Sequence, residues 1–243
     1  MSVDPDPSTN PAPSDTSRRA LVIGASRSLG LGLVRELAER GWEVVGTVRS
    51  TARTPLHELA DASAGRIAVL EQVDVTEDGD LARLGGELLE AGFDLLFVNA
   101  GITDADVPAG DVDAETFAKV MVTNALAPLH TIEALAHLVR PDGTIAVMSS
   151  RQGSISLNDR GGHEVYRASK SALNQLMRSY DARRTDSRTV LLVHPGWVQT
   201  ELGGVGAPLT VEESAHGVVN TVERHASDGG LQFRNYLDEV VPW

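Results

Sequence analysis

Tyr166 and Lys170 stand four residues apart in a stretch with helical apolar spacing, which puts both side chains on one helix face within reach of each other. A phenol beside an ammonium can pass a proton: the positive charge lowers the phenol's pKa, and the compact amine can also reach a neighbouring hydroxyl. The chain holds 19 arginines but only two lysines, the other being Lys119, and three tyrosines. Arginine cannot lose its proton and is a wide planar fork, so a lysine here marks a requirement that arginine does not meet.

A second constellation is the run Gly24-Ala-Ser26-Arg27-Ser28-Leu29-Gly30-Leu-Gly32, which follows the apolar stretch Ala20 to Ile23 and leads straight into helical spacing. Glycines let the backbone turn tightly and approach a ligand, and the free amides at a helix start suit a pyrophosphate. The spacing differs from G-x-G-x-x-G, and a strand-to-helix turn made for geometry alone is the bland alternative.

These residues need a frame. Ala20–Ile23, Glu43–Val48, Arg66–Val69, Asp94–Val98, Thr144–Met148 and Thr189–Val193 read as six buried strands. Leu29–Arg40, Leu81–Ala91, Ala114–Val139 and Tyr166–Arg183 carry apolar residues at helical spacing, and Pro128 is expected to kink or divide the third. Strict alternation implies right-handed crossovers and an α/β fold, a doubly wound parallel sheet of Rossmann type in a single domain spanning residues 18–243. Ligands of such sheets sit beyond the carboxyl ends of the strands. Residues 1–17, with four prolines and three aspartates, read as a disordered tail.

The second strand ends at Thr47-Val48-Arg49, where the adenosine ribose of a dinucleotide lies in this fold. A carboxylate there would serve NAD(H), whereas Arg49 with Arg27 can clamp a 2'-phosphate, so NADP(H) is favoured over NAD(H). Solvated surface is the alternative for both arginines.

The 243 residues are 42% hydrophobic and 23% charged, with 21 Lys plus Arg against 34 Asp plus Glu and a net charge of -13. That balance opposes capture of a nucleic-acid backbone or an anionic membrane. With no cysteine there is no disulfide, thiolate nucleophile, Cys-ligated zinc or Cys-bound iron–sulfur cluster. No apolar run reaches bilayer-spanning length and the start lacks a signal-peptide pattern, so a cytoplasmic protein is expected.

Taken in order, Gly24 to Gly30, Asn99-Ala100-Gly101, Ser149-Ser150, Tyr166-x-x-x-Lys170 and Pro195-Gly196 resemble the short-chain dehydrogenase/reductase family over nearly all of residues 19 to 243. Ser149 to Ile155, Tyr166 to Lys170, His194 to Thr200 and the final Val-Pro-Trp243 resemble its C-factor and sniffer carbonyl-reductase branch. The resemblance implies a reductase of small-molecule carbonyl compounds that can run backwards on alcohols. Tyr166 would be its general acid, Ser150 (rather than Ser149) the hydroxyl holding the carbonyl oxygen, and Lys170 the group that tunes Tyr166 and binds the nicotinamide ribose. Asn124 would hold a proton-relay water. It further implies that Asp74 and Val75 contact adenine, that Asn99, Ala100 and Gly101 form the wall beneath the adenosine, and that Thr200 lies near the nicotinamide amide, with Pro195, Gly196 and Val198 also on the cofactor side. Family members usually carry Thr and Gly where this chain has Ile23 and Ser28, and a β-carbon at Ser28 limits backbone approach to phosphate.

The long apolar faces of 114–139 and 166–183 match the helices through which that family associates, so a homo-oligomer, dimer or tetramer, is expected. Residues 151–163 and 201–212 are expected to form much of the substrate pocket; His163 reads first as an ordinary loop histidine, with the pocket entrance as its alternative, and Trp197 first as a packing residue, with the pocket border as its alternative. His130, Glu133 and His137 share a helical face, for which plain surface is the stronger reading over a metal site. The rival function is a nucleotide-binding regulatory or signalling protein of the same fold with little turnover.

Overall fold

The computed structural model describes residues 17–89 and 91–243; the expected disordered tail lies outside them except for Ser17. Apolar runs that are buried on both faces form the centre of the sheet, as a parallel arrangement requires. Strands β1 (Arg19–Ile23), β2 (Glu43–Thr47), β3 (Ile67–Leu70), β4 (Phe93–Val98), β5 (Val139–Met148), β6 (Thr189–His194) and β7 (Gly230–Asn235) pair in the order β3-β2-β1-β4-β5-β6-β7, every pair parallel. The order reverses between β1 and β4, and this opens a crevice at their carboxyl ends.

Six strands were expected and seven are present. Strand β7, with Gln232, Arg234 and Asn235 in it and only Phe233 buried, is the edge strand, bordered on its outer side only by the short 239–241 segment, so its sequence lacks the apolar run that marks the inner strands. Strand β5 begins at Val139 rather than Thr144, with a register shift against β4 between Phe93 and Leu95.

The helices are α1 (Ser28–Glu39), α2 (Pro55–Asp61), α3 (Asp78–Glu87), α4 (Ala114–Met121), α5 (Ala127–Leu135), α6 (Glu164–Arg183) and α7 (Val211–Arg224). Two cores result. Helices α1 and α7 cover one face, with Leu33, Leu37, Val218 and Val222 packed on Val22, Phe97 and Leu191; α5 and α6 cover the other, with Ile132, Leu173 and Met177 on Leu21, Leu96 and Leu192. Among the described residues no helix is long and apolar enough to cross a membrane.

The expected helix 114–139 is broken. A π-helical segment, Val122–Leu126, separates α4 from α5, which ends at Leu135 before a 3-10 turn. Pro128, in the first turn of α5, has no N–H to return to the carbonyl four residues back, that of Asn124, and the widened turn accommodates the missing bond. The chain therefore divides at Pro128 as expected, but the irregular turn falls ahead of the proline and contains Asn124.

Candidate active site

Helix α6 enters the site through a strapped N-terminus. His163 adopts left-handed backbone (φ 46), its N–H donates to Asp106 Oδ1 at 2.5 Å, and Glu164 Oε2 accepts from Ala109 N at 2.8 Å. These bonds tie the loop after β4 to the first turn of α6, where Tyr166 and Lys170 lie on the inward face, both buried.

Lys170 Nζ donates to Met148 O at 3.0 Å and stands 5.9 Å from the centre of the Tyr166 ring. Burial removes the ammonium's water and pushes its pKa down to about 8; the same loss of water pushes the Tyr166 phenol up to about 12, against the opposing pull of the Ser150 hydroxyl. At neutral pH the pair is a charged amine beside a protonated phenol.

Asn124 reaches the same place by a different route. Its fully buried side chain accepts from Ile102 N and donates to Ile102 O, both at 2.8 Å, and donates to Ser169 Oγ at 3.0 Å. Ser169 Oγ donates in turn to Tyr166 O at 2.7 Å. The amide thus locks the β4 loop to α6 through its oxygen and both of its donors, and Pro128 withholds from the Asn124 carbonyl the helical bond it would otherwise accept.

The two serines after β5 divide their work. Ser149 Oγ donates to Asn174 Oδ1 at 2.7 Å, and Asn174 Nδ2 donates to Gly153 O at 3.2 Å, so Ser149 fastens the strand end to α6. Ser150 Oγ accepts from Gln152 N at 3.1 Å, acts on the Tyr166 phenol and lines the cleft beside it.

At the other end of the crevice Gly24 takes φ +83, a conformation L side chains rarely adopt. Its N–H donates to Thr47 Oγ1 at 3.0 Å and its carbonyl accepts from Asn99 Nδ2 at 2.8 Å, so Asn99 fixes the loop as well as lining the space below it. A β-carbon on Gly30 would lie 2.1 Å from Gly24 O, which is why α1 can start this close to the strand. Ser28, where the family usually has glycine, has φ 49, so its β-carbon sits in strained backbone. No side chain caps the start of α1, which leaves its amides directed at the crevice.

The two ends border one cleft of about 2030 Å³. The structure brings together Gly24, Ser26, Arg27, Ser28, Leu29, Arg49, Asp74, Val75, Asn99, Ala100, Gly101, Ser150, Tyr166, Lys170, Pro195, Gly196, Val198 and Thr200 along it. Gly30 and Asn124 lie behind the wall, holding it. Arg49 is exposed and has no ion-pair partner among the described residues, and its charge helps to hold the Asp74 carboxyl below its ordinary value, after the two bonds from Thr76 and against the larger opposing effect of burial. Arg27 pairs with Glu201 at 3.1 Å, both groups largely exposed.

Several lining residues were not singled out from the sequence. Arg151, Gln152, Arg160 and His194 all line the cleft; Gln152 Oε1 and His194 Nδ1 are buried with no partner. His163 lines it too, while exposed Trp197 borders it and donates to Gly203 O at 2.7 Å. Of 201–212 only Glu201 to Gly204 reach the cleft. Leu209 instead pairs with Val198 behind it. His130 lies near Asp78 and Glu133 pairs with Arg183, and no group of three candidate ligands converges among the described residues.

The short chain dehydrogenase family model matches residues 18–205, and the chain belongs to that family of oxidoreductases. It is similar to a Burkholderia multivorans protein assigned as a short-chain dehydrogenase/reductase and solved with bound NADP: 44% identity, TM-score 0.90, 93% of this chain and 100% of that one. A carbonyl reductase from Pseudomonas aeruginosa PAO1 in complex with NADP is 38% identical over 94% of this chain and all of its own, with TM-score 0.86. The carbonyl reductase Sniffer of D. melanogaster is 29% identical over 93% and 100%, with TM-score 0.79, in keeping with the branch that the sequence resembles.

The division between the serines has a measurable consequence. Ser149→Ala leaves Asn174 Oδ1 buried without its donor and is expected to lower unfolding free energy by about 1–3 kcal/mol. Ser150→Ala, which loses a short cap and a contact with Tyr166 at a cleft wall that water can reach, is expected to cost about 1 kcal/mol or less. Urea denaturation of both variants checks the order.

Proposed function

We propose that the protein is an NADP(H)-dependent reductase of a ketone or aldehyde, with residues 18–243 as one catalytic domain. The observation that carries this is the buried Tyr166–Lys170 pair facing Ser150 at one end of a cleft whose other end is a glycine turn, an uncapped helix start and an unpaired arginine.

The cleft suits the dinucleotide on its own chemistry. The amides at the start of α1 with the backbone of Gly24 to Leu29 would hold the pyrophosphate, Asp74 and Val75 the adenine, and Asn99 to Gly101 the adenosine from below. Lys170 would hold the nicotinamide ribose, and Pro195, Gly196, Val198 and Thr200 the nicotinamide side. Arg49 would read the 2'-phosphate. Arg27 would join it by leaving Glu201, since an exposed ion pair is worth at most about 1 kcal/mol. Bound NADPH supplies the hydride.

The protein supplies position and a proton. Ser150 Oγ donates to the substrate's carbonyl oxygen and holds it against Tyr166, whose phenol delivers the proton as negative charge develops there. Lys170, charged below about pH 8, stabilises the phenolate that remains. The carbonyl of Asn124 holds the water through which the proton is replaced. A phenol pushed up to about 12 is protonated at neutral pH and keeps its proton until an oxyanion forms beside it.

A homo-oligomer fits the surface, though by one helix stretch rather than two. Phe117, Val122 and Leu126 are exposed along α4 and the π-helical segment, whereas the large apolar residues of α6 are buried or half-buried in the chain's own core. The first stretch is the surface proposed for association.

Tyr166→Phe is expected to keep the fold and NADPH affinity while lowering turnover at least about 100-fold. Wild-type turnover should fall as pH rises through about 8, because Lys170 then loses the charge that stabilises the phenolate. Stopped-flow NADPH oxidation across pH 6–10 with a carbonyl panel checks both; near wild-type turnover in the variant removes Tyr166 as the acid.

Cofactor choice has its own test. A charge-assisted bond from Arg49 to a 2'-phosphate contributes about 1.5–3 kcal/mol, so Arg49→Ala should weaken NADPH about 10- to 150-fold and leave NADH almost unchanged. Fluorescence titration of both cofactors measures it, and equal losses would mean that Arg49 supports the loop and does not read the phosphate.

A further inference from the structure

The cleft has a charge pattern opposite to that of the chain. It is lined by 8 of the 21 Lys plus Arg residues but by 3 of the 34 Asp plus Glu residues. The glycine loop and the end of β2 account for Arg27, Arg49 and Arg53, and Lys170 belongs to the reacting centre. Lys119 on α4 and Arg151, Arg160 and Arg167 remain, the last three on the 151–167 stretch that walls the Tyr166 end, where Asp159 is the one acidic lining residue.

Pairing within the protein does not explain these cations. Among the described residues Arg151 and Arg160 have no ion-pair partner, while the nearby carboxylates are engaged, Asp106 with His163 and Glu164 with Ala109 N. Arg151 follows Ser150 directly, so its backbone lies one residue from the hydroxyl that holds the carbonyl oxygen. Its guanidinium also acts on His194, whose imidazole burial chiefly, and Arg151's charge secondarily, push down to about 4. His194 is therefore neutral in use, and its Nδ1 is one of two buried side-chain atoms left without a partner among the described residues, the other being Gln152 Oε1 next to Arg151.

We propose that the substrate is a carbonyl compound bearing an anionic oxygen group, a carboxylate or phosphate ester, which Arg151 and Arg160 seat beside the reacting carbonyl with neutral His194 lining the same space. This inference rests on the reductase reading of the site. A protein of net charge -13 repels an anion at long range, so such a substrate is accepted only where local cations outweigh the whole. Paired cations would give no such advantage; unpaired ones on the wall of a cleft do.

The test uses three matched probes, 4-carboxybenzaldehyde, 4-formylphenyl phosphate and methyl 4-formylbenzoate. Each is titrated calorimetrically into the full chain saturated with NADP+, and each is assayed for NADPH oxidation. At least one anionic probe is expected to bind about 10-fold or more tighter than the ester, and which of the two is tighter names the source of the charge. Arg151→Gln should weaken the anionic probe at least 10-fold more than the ester. Arg66→Gln, which removes the same charge at the far end of the strands, should leave the ratio as in the wild type. Equal binding of ester and anions by the wild type, or an equal loss for all probes in Arg151→Gln, overturns the proposal, as does the absence of binding by every probe. Anion-selective binding without NADPH oxidation supports the seat and overturns the reductase reading; oxidation without anion preference does the reverse.

Discussion

Keeping an ammonium out of water is the constraint around which the active end of this protein is organised. A lysine costs several kcal/mol to bury uncompensated, and Lys170 is given one firm bond, to Met148 O. The rest of the cost shows as an amine held well below its ordinary pKa. The sheet ends, the two serines, the π-helical turn and the strapped loop after β4 all close around that group. They also exclude water from Tyr166, so one act of burial sets both members of the pair: the amine becomes easier to discharge and the phenol harder to ionise. At neutral pH such a site rests with its proton on the phenol and its charge on the amine.

The opposite end of the crevice works by open backbone in place of burial. Gly24 and Gly30 let helix α1 begin against the strand ends, and Asn99 and Thr47 hold the turn from either side. Ser28 pays for a left-handed backbone that glycine would take freely. The switch between β1 and β4 sets the phosphate turn and the proton-transfer pair along one cleft, so a single long ligand can touch both.

Much of this was legible in the residues. The inner strands declared themselves by continuous apolar runs, and the Tyr166–Lys170 spacing and the glycine turn each carried their chemistry openly. Strand β7 did not, because an edge strand half-buried along most of its length has no such run. Helix α2 is only seven residues long, announced by Thr54-Pro55 alone, while α7 carried a usable signal in the capping box Thr210 to Glu213. Pro128 told of a break but not of its form, since whether a helix kinks or widens depends on what packs against it. Gln152 and His194 gave no local sign, because an unpartnered buried atom is a property of the surroundings. The 166–183 face shows the same limit: apolar spacing says that a face is covered, and the fold covers much of this one with the chain's own core.

The account stands or falls on the charge state of one amine. With only two lysines in the chain, a sample labelled with 15N-lysine gives two side-chain signals, and Lys170→Met identifies which is which. Titrated by NMR, the Lys170 signal is expected to change state near pH 8. A midpoint at the ordinary lysine value of about 10.5 would mean that the amine is solvated, that burial does not set the pair, and that the site is not poised as described.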